Sequence, residues 1–249
     1  MADPAHAIIV ADGEVDRALL RTLAAGRLAP SPRDTAAGSG MSPSLVVAAD
    51  GGAEHCLALG LEPDVLVGDL DSITPEALGR LRERGIELRQ APRDKDESDM
   101  ELCLLLARER GMARVTVLGG LGLLRPEHSI ANLLLLADPR FDAMAVVLAG
   151  HGARTWRIGT SSGPGEAQLS GRPGDYVSLF ALDPSVAAVR TEGLRFPLDG
   201  EDLPLGPSRG LSNRMVAEDA RIVSGRGRLV IVHTDQDAES RLTRWLGEE

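Results

Sequence analysis

The 249-residue chain predicts an α/β N-terminal domain, its mostly parallel sheet flanked by helices, followed by a C-terminal all-β sandwich. Three observations lead there. Over the first 150 residues, short β-branched runs alternate with helical stretches. Most of those runs are apolar on both faces, as strands covered by helices on each side must be. Beyond residue 151, Gly and Pro become frequent and the runs alternate polar with apolar side chains, the pattern of half-buried antiparallel strands. The change falls near Gly150-His151-Gly152, so the domains are read as 1–150 and 151–249.

The predicted N-terminal strands are Ile8–Val10, Leu45–Ala49, Val65–Val67, Ile86–Leu88, Val115–Leu118 and Ala145–Leu148. Between them, Ala53–Leu59, Pro75–Arg84, Asp99–Arg110 and Ser129–Ala137 read as helices. Their punctuation agrees with this. Gly60, Gly85 and Gly111 stand where left-handed C-terminal caps belong, Pro75 suits a first helical turn, and Ser98-Asp99-Met100-Glu101 has capping-box spacing. Residues 30–44, rich in Pro, Ser and Gly, read as a surface loop. In the second half the strand candidates are Asp175–Phe180, Arg214–Val223 and Gly227–Thr234, followed by an amphipathic helix over Ala238–Leu246.

Composition narrows the function classes. A formal net charge of −10 argues against a general nucleic-acid binder, which needs a basic face to displace counterions. It does not argue against nucleotides, because a bound cation reverses the local field. No apolar run reaches the length of a membrane span, and the first residues lack a basic region followed by an apolar core, so no membrane partner is expected. Cys56 and Cys103 both fall in predicted helices without metal-ligand spacing, as reduced, buried thiols of a cytoplasmic protein would. They and Trp245 are read as packing residues.

The chemistry collects at strand ends. Asp12-Gly13 follows the first strand, Asp50-Gly51-Gly52 the second, and Gly68-Asp69-Leu70-Asp71-Ser72 the third. The run Asp94-Lys95-Asp96-Glu97-Ser98-Asp99 lies just beyond the fourth, and Gly119-Gly120-Leu121-Gly122 follows the fifth. All leave the carboxyl ends of parallel strands, the edge where open α/β sheets bind ligands. Carboxylates this crowded repel one another, and hard divalent cations that also hold phosphate oxygens are the usual compensation. In a continuing strand Asp69 and Asp71 would face one side, so metal ligation is preferred over a solvated cap before Pro75. Asp99, in a first helical turn, is placed to point back at the sheet edge. No phosphate-binding Gly-x-x-x-x-Gly-Lys-Ser/Thr loop is present, so phosphates must be held by metal, Arg125, His128 and backbone groups. Read singly, Asp50-Gly51-Gly52 is a turn, Glu97 a loop residue, Arg209–Asn213 a polar turn and Thr191–Phe196 a strand.

Taken in order, these elements resemble the thiamine pyrophosphokinase (thiamine diphosphokinase) family. The stretches that carry the resemblance are Ala49–Ala53, Pro63-Asp64, Gly68–Ser72 and Asp94–Asp99. They continue with the Gly-rich turn with Arg125, His128 and Asn132, then Gly174–Leu179, Gly193–Leu198 and Gly210–Asn213, so that the likeness runs from Ile8 to Thr234. It implies an α/β catalytic domain, a β-sandwich domain that binds thiamine, and a homodimer. The implied reaction is Mg²⁺-dependent transfer of diphosphate from ATP to the thiamine hydroxyl, releasing AMP. Carried over residue by residue, Asp69, Asp71 and Asp99 would hold the metal, and Asp50, Gly51, Gly52, Arg125, His128 and Asn132 would serve the nucleotide. Phe196, Ser212 and Asn213, with Asp94 and Lys95, would meet the substrate. Asp71, Asp99 and Arg125 would act in catalysis, with Asp96 or Asp94 accepting the proton. Two departures stand out: the family's Gly-Arg-x-Asp-His appears as Leu124-Arg125-Pro126-Glu127-His128, with one extra residue in the turn, and the 30–44 segment is longer.

Competing readings are a diphosphokinase of this fold acting on another alcohol such as a pterin, a metal-dependent phosphohydrolase, and a nucleotide or thiamine sensor without turnover. Phe196, Ser212 and Asn213 bear on the first. An intact set of Asp69, Asp71 and Asp99 argues against the last.

Overall fold

A computed structural model of the chain describes residues 5–25, 27, 45–122 and 124–238. The segment 30–44 and Trp245 lie outside the described residues, as does the helix expected over Ala238–Leu246 apart from its first residue. The chain divides into two compact units, one of residues 1–132 and 143–150, the other of residues 133–142 and 151–249.

The first unit is built on a six-stranded sheet of β1 (His6–Val10), β2 (Leu45–Ala49), β3 (Val65–Gly68), β4 (Glu87–Gln90), β5 (Arg114–Leu118) and β6 (Ala145–Gly150). Its order is β6-β5-β1-β2-β3-β4, and every pairing is parallel. The reversal of direction in this order on either side of β1 is where such sheets open a crevice at their carboxyl edge. β1 and β2 are buried along their whole length, which explains why they read as continuous apolar runs. The helices are α1 (Arg17–Leu23), α2 (Gly52–Ala58), α3 (Pro75–Glu83), α4 (Asp99–Glu109) and α5 (Pro126–Leu134). Leu20 of α1, Cys56 of α2 and Leu81 of α3 pack with Ile8, Val46 and Leu66 in one apolar cluster.

The caps behave as the sequence predicts. Ser98 accepts the Glu101 N–H at 3.1 Å, Thr74 caps α3 with Pro75 at its first turn, and Gly60, Gly85 and Gly111 have φ of 71°, 69° and 70°. Three readings need correction. α1, capped by Asp16 on the Leu19 N–H, is a short helix with one buried side chain, too weak a stripe to register as periodicity. The fourth strand runs over Glu87–Gln90 and not Ile86–Leu88, because it is an exposed edge whose Glu87 bonds Arg89 and Arg110 at 2.5 Å each. α5 begins at Pro126, not Ser129: the Ser129 hydroxyl is turned to Gly122, so it does not cap a helix, and a 3₁₀ turn over Leu135–Ala137 replaces the last predicted turn.

The second unit is a sandwich of two antiparallel sheets. One contains β7 (Ala153–Ile158), β9 (Tyr176–Ala181), β12 (Asn213–Arg214) and β14 (Leu229–Thr234) in the order β12-β9-β14-β7. The other contains β8 (Gly165–Ser170), β10 (Ser185–Glu192), β11 (Asp199–Pro204) and β13 (Asp219–Ser224) in the order β11-β10-β13-β8. Val177, Leu179 and Ile231 of the first sheet meet Val186, Val189 and Ile222 of the second in a continuous core. The run predicted over Arg214–Val223 is broken into β12 and β13, since Met215 leaves the first sheet to bridge Leu194. Among the described residues no helix is long and apolar enough to cross a membrane.

Two buried polar clusters tie this unit together. Arg228, 6% exposed, bonds Asp142 and Asp183, which holds the turn after Pro139–Phe141 onto the end of β14. Asp175, 4% exposed, accepts the backbone N–H groups of Arg172 (2.9 Å) and Gln236 (3.0 Å) and faces His233 Nε2 at 3.2 Å. Arg154 lies 3.1 Å from His233 Nδ1, and a guanidinium only donates, so the proton of the neutral ring sits on Nε2 and points at Asp175. Burial pushes the Asp175 pKa up, but the Arg172 and Gln236 N–H groups and His233 outweigh it, and the carboxyl is held below its ordinary value. Its contribution to stability is therefore present above the unfolded value of about 3.9 and is lost as pH falls through the lower folded value. Asp175→Asn is expected to destabilise the protein at neutral pH by about 1–3 kcal/mol and to flatten the acid limb of the stability profile, read from urea unfolding midpoints between pH 3 and 7.

Candidate active site at the carboxyl edge of the parallel sheet

The turns that follow β1, β2, β3 and β5 surround one cavity of about 630 Å³. Close packing of backbone brings them together. A Cβ on Gly52 would lie 2.0 Å from the Val10 carbonyl oxygen, so only glycine lets the start of α2 rest against the end of β1. A Cβ on Gly13 would lie 2.3 Å from the Gly119 carbonyl oxygen, so the turns after β1 and β5 abut in the same way.

These contacts leave Asp50, Asp69 and Asp71 with carboxylate oxygens all within 4.8 Å of one another. The backbone is unusual where they meet: Asp50 has φ 45° and Leu70 has φ 66°, left-handed conformations that cost a non-glycine residue free energy. The chain has thus left the extended form by Asp71, and it is the turn at Leu70 rather than strand alternation that brings Asp69 and Asp71 together. Leu70 packs against the apolar cluster beneath the sheet edge, which offsets the strain. Hydrogen bonds hold the group: the Asp71 N–H donates to Asp69 at 3.2 Å, the Ser72 N–H to Asp50 at 3.3 Å, and the Ser72 hydroxyl to Asp71 at 3.1 Å.

The electrostatics follow from the crowding. Burial pushes the Asp50 carboxyl up to about 6; the Ser72 N–H opposes this, and Asp69 and Asp99 add to it. Burial also opposes ionisation of Asp69, but the Asp71 N–H, the proton held by Asp50 and the charge of Lys95 bring it below its ordinary value. Asp99, in the first turn of α4, lines the same cavity but is not one of the three converging carboxylates; its buried Oδ1 has no hydrogen bond and lies 3.2 Å from Lys95 Nζ. Asp71 is 3.2 Å from Arg93. A hard divalent cation fits this donor set, because carboxylate oxygens converge, one buried oxygen lacks a hydrogen bond, and the group is short of positive charge.

The opposite wall is the Gly119–Gly122 turn and α5. Asn132 is buried and donates to the Gly120 carbonyl at 2.7 Å, while the Ser129 hydroxyl bonds both the N–H (2.9 Å) and the carbonyl (2.8 Å) of Gly122. Arg125 and His128 line the mouth, 2.6 Å apart, and Glu127 pairs with Arg125. The altered motif therefore keeps Arg125 at the cavity, with Glu127 as its partner.

Of the residues singled out from sequence, Asp50, Asp69, Asp71, Lys95, Asp99, Arg125, His128 and Asn132 line this cavity. Gly51 and Gly52 are buried and Asp94 and Asp96 exposed, and none of the four is among the residues that line it. Phe196, Ser212 and Asn213 belong to the second unit. Sequence reasoning did not assign Asp12, Glu14, His55 and Ser129, which also line the cavity. Asp12 had a signal, as the first acidic residue after a strand; His55 had none, since its position depends on the docking of α2. Asp64 is structural: it bonds Arg27 at 2.6 and 2.9 Å and accepts the Val46 N–H at 2.7 Å.

Fold and site together define an α/β protein with an acidic ligand cleft outside the carboxyl ends of its parallel strands. Residues 41–148 match the family described as thiamin pyrophosphokinase, catalytic domain, and residues 166–229 match thiamin pyrophosphokinase, vitamin B1 binding domain. The chain belongs to the thiamin pyrophosphokinase family. It is 27% identical over 169 residues to thiamine pyrophosphokinase 1 of Oryza sativa subsp. japonica, a match covering 66% of this chain and 63%, just under two thirds, of that protein. In fold it is similar to the crystal structure of thiamine pyrophosphokinase from Bacillus subtilis (TM-score 0.73, 22% identity, 92% of this chain and 99% of that one). It is also similar to the family protein from Enterococcus faecalis (TM-score 0.72, 23% identity, 93% and 99%).

Gly52→Ala is expected to push α2 away from β1 and to lower stability by about 1–3 kcal/mol, read from the urea midpoint. An unchanged midpoint would mean that the Val10–Gly52 contact is not tight.

Proposed function

We propose that this protein transfers diphosphate from ATP to the hydroxyl of thiamine, giving thiamine diphosphate and AMP, with Mg²⁺ as the cation. The observation that carries the reading is the convergence of Asp50, Asp69, Asp71 and Asp99 on one cavity, in a chain whose two halves match the catalytic and vitamin-binding domains of one family. We take the working form to be a cytoplasmic homodimer, a reading supported by the family resemblance and by two buried free thiols, Cys56 and Cys103.

ATP carries about four negative charges, and a primary alcohol is a weak nucleophile, so charge neutralisation and alignment are the main requirements. Asp69, Asp71 and Asp99 are assigned as metal ligands, with Asp50 close enough to Asp69 and Asp71 to share that duty. The bound cation supplies Lewis-acid stabilisation of the phosphate oxygens. Lys95 and Arg93, paired with Asp99 and Asp71, bring positive charge to the same edge, and Arg125 with His128 offers donors at the mouth. In the reaction the thiamine hydroxyl oxygen bonds to the β-phosphorus as the bond from that phosphorus to the α–β bridging oxygen breaks; AMP leaves with that oxygen, and the hydroxyl proton is released to water. Asn132 and Ser129 keep the Gly119–Gly122 turn in the form that lines the nucleotide side. In the second unit Phe196 and Ser212 are assigned to thiamine, Phe196 because an aromatic ring, 56% exposed, is available for stacking.

Incubation with ATP, Mg²⁺ and thiamine is expected to yield AMP and thiamine diphosphate in equal amounts. ADP or inorganic phosphate in their place, or turnover without thiamine, would overturn the reading. Asp71→Asn is expected to lower kcat by about 10²-fold or more while leaving the circular dichroism and urea midpoint unchanged. Its affinity for Mn²⁺, followed by paramagnetic resonance, should fall in parallel.

A further inference from the structure

Asn213 and Phe196 form a unit in which one residue holds and the other presents. Asn213 is 6% exposed, and its amide is engaged with backbone. Its Oδ1 accepts the N–H of Phe196 at 3.0 Å and of Arg214 at 2.9 Å, and its Nδ2 donates to the Phe196 carbonyl at 2.7 Å. The amide orientation is unambiguous, because the reverse would set an NH₂ against two N–H donors. The neighbouring backbone continues the pairing: the Arg195 N–H donates to the Arg214 carbonyl at 2.9 Å and Leu194 bridges Met215. On the other side, Ser212 has φ 58° and its N–H donates to the Ser178 hydroxyl at 3.0 Å.

The Phe196 ring has little packing to hold it. It is 56% exposed, with the exposed guanidinium of Arg195 5.5 Å from its centroid. At this exposure the ring offers a free face on which an aromatic ligand can stack. Its position must then come from the backbone, and Asn213 bonds both polar groups of that backbone. Both lone pairs of Asn213 Oδ1 are occupied, so the residue has no acceptor left for a ligand.

We propose that Asn213 is a positioning residue that fixes the Phe196 backbone so that the exposed ring stacks on the aromatic part of the substrate, and that Asn213 does not itself touch the substrate. The inference rests on the function proposed above. It is tested by a double-mutant cycle of wild type, Phe196→Ala, Asn213→Ala and the double variant, with KM and kcat for thiamine and thiamine affinity by calorimetry. Each single change is expected to raise KM about tenfold with kcat altered by less than about threefold, and the double variant to be no worse than Phe196→Ala alone. Losses that multiply to about a hundredfold would mean that Asn213 binds substrate independently, and would overturn the proposal. A fall in kcat with unchanged KM would also overturn it, since loss of folded enzyme lowers only kcat. Asn213→Asp keeps the acceptor and turns a carboxylate oxygen onto the Phe196 carbonyl; it should match Asn213→Ala in KM, and a wild-type KM would count against the proposal. If Asn213→Ala fails to fold, the Asp variant completes the same cycle. Wild-type protein that neither binds nor converts thiamine would instead remove the functional reading, a result distinct from additivity in the cycle.

Discussion

Repulsion among the carboxylates at the ends of β2 and β3 is the constraint on which the first unit is organised. Asp50, Asp69 and Asp71 approach within 4.8 Å, and no folded chain holds such a group without opposing forces. Here the opposing forces are visible one by one. Backbone N–H groups of Asp71 and Ser72 donate into the cluster, Asp50 retains a proton to about pH 6, and Arg93 and Lys95 stand at its flanks. The left-handed turn at Leu70 directs both neighbouring carboxylates inward, and the side chain of Leu70 in the apolar cluster keeps that turn from relaxing. The donor chemistry of such a group matches a hard divalent cation, whose charge would offset the repulsion.

Packing and site are joined by the glycine contacts. The Gly52–Val10 and Gly13–Gly119 approaches draw three strand ends together closely enough for their turns to wall a single cavity. The Gly119–Gly122 turn is then held from outside by Asn132 and Ser129. In the second unit a comparable logic acts on an apolar group: Asn213 fixes a backbone so that an exposed ring keeps its place. In both units a polar side chain turned to the backbone holds a loop, and the atoms facing outward remain available.

Much of this was legible in the residues. β1 and β2 are apolar and buried on both faces, Gly60, Gly85 and Gly111 adopt the left-handed caps their positions imply, and Ser98 caps α4. The acidic motifs were recognisable because Asp residues after a strand have few other reasons to recur. What was hidden depended on contacts distant in sequence. Ser129 read only as the first residue of a helix, yet its hydroxyl closes a turn seven residues earlier. Asn132 and Asn213 looked like ligand contacts, and their amides are engaged with backbone carbonyls and N–H groups. His55 carries no local signal and reaches the cavity through the docking of α2.

The sequence by itself determined the α/β and all-β halves, the helix caps and the collection of carboxylates at one sheet edge, because periodicity, capping and strand ends are local properties. Only the tertiary structure decided that Asp50 joins Asp69 and Asp71, that Asp94 and Asp96 lie outside the cavity, and that Asn213 holds Phe196. The physical reason is that these depend on how close two backbones come, and that distance is set by packing between segments rather than within them.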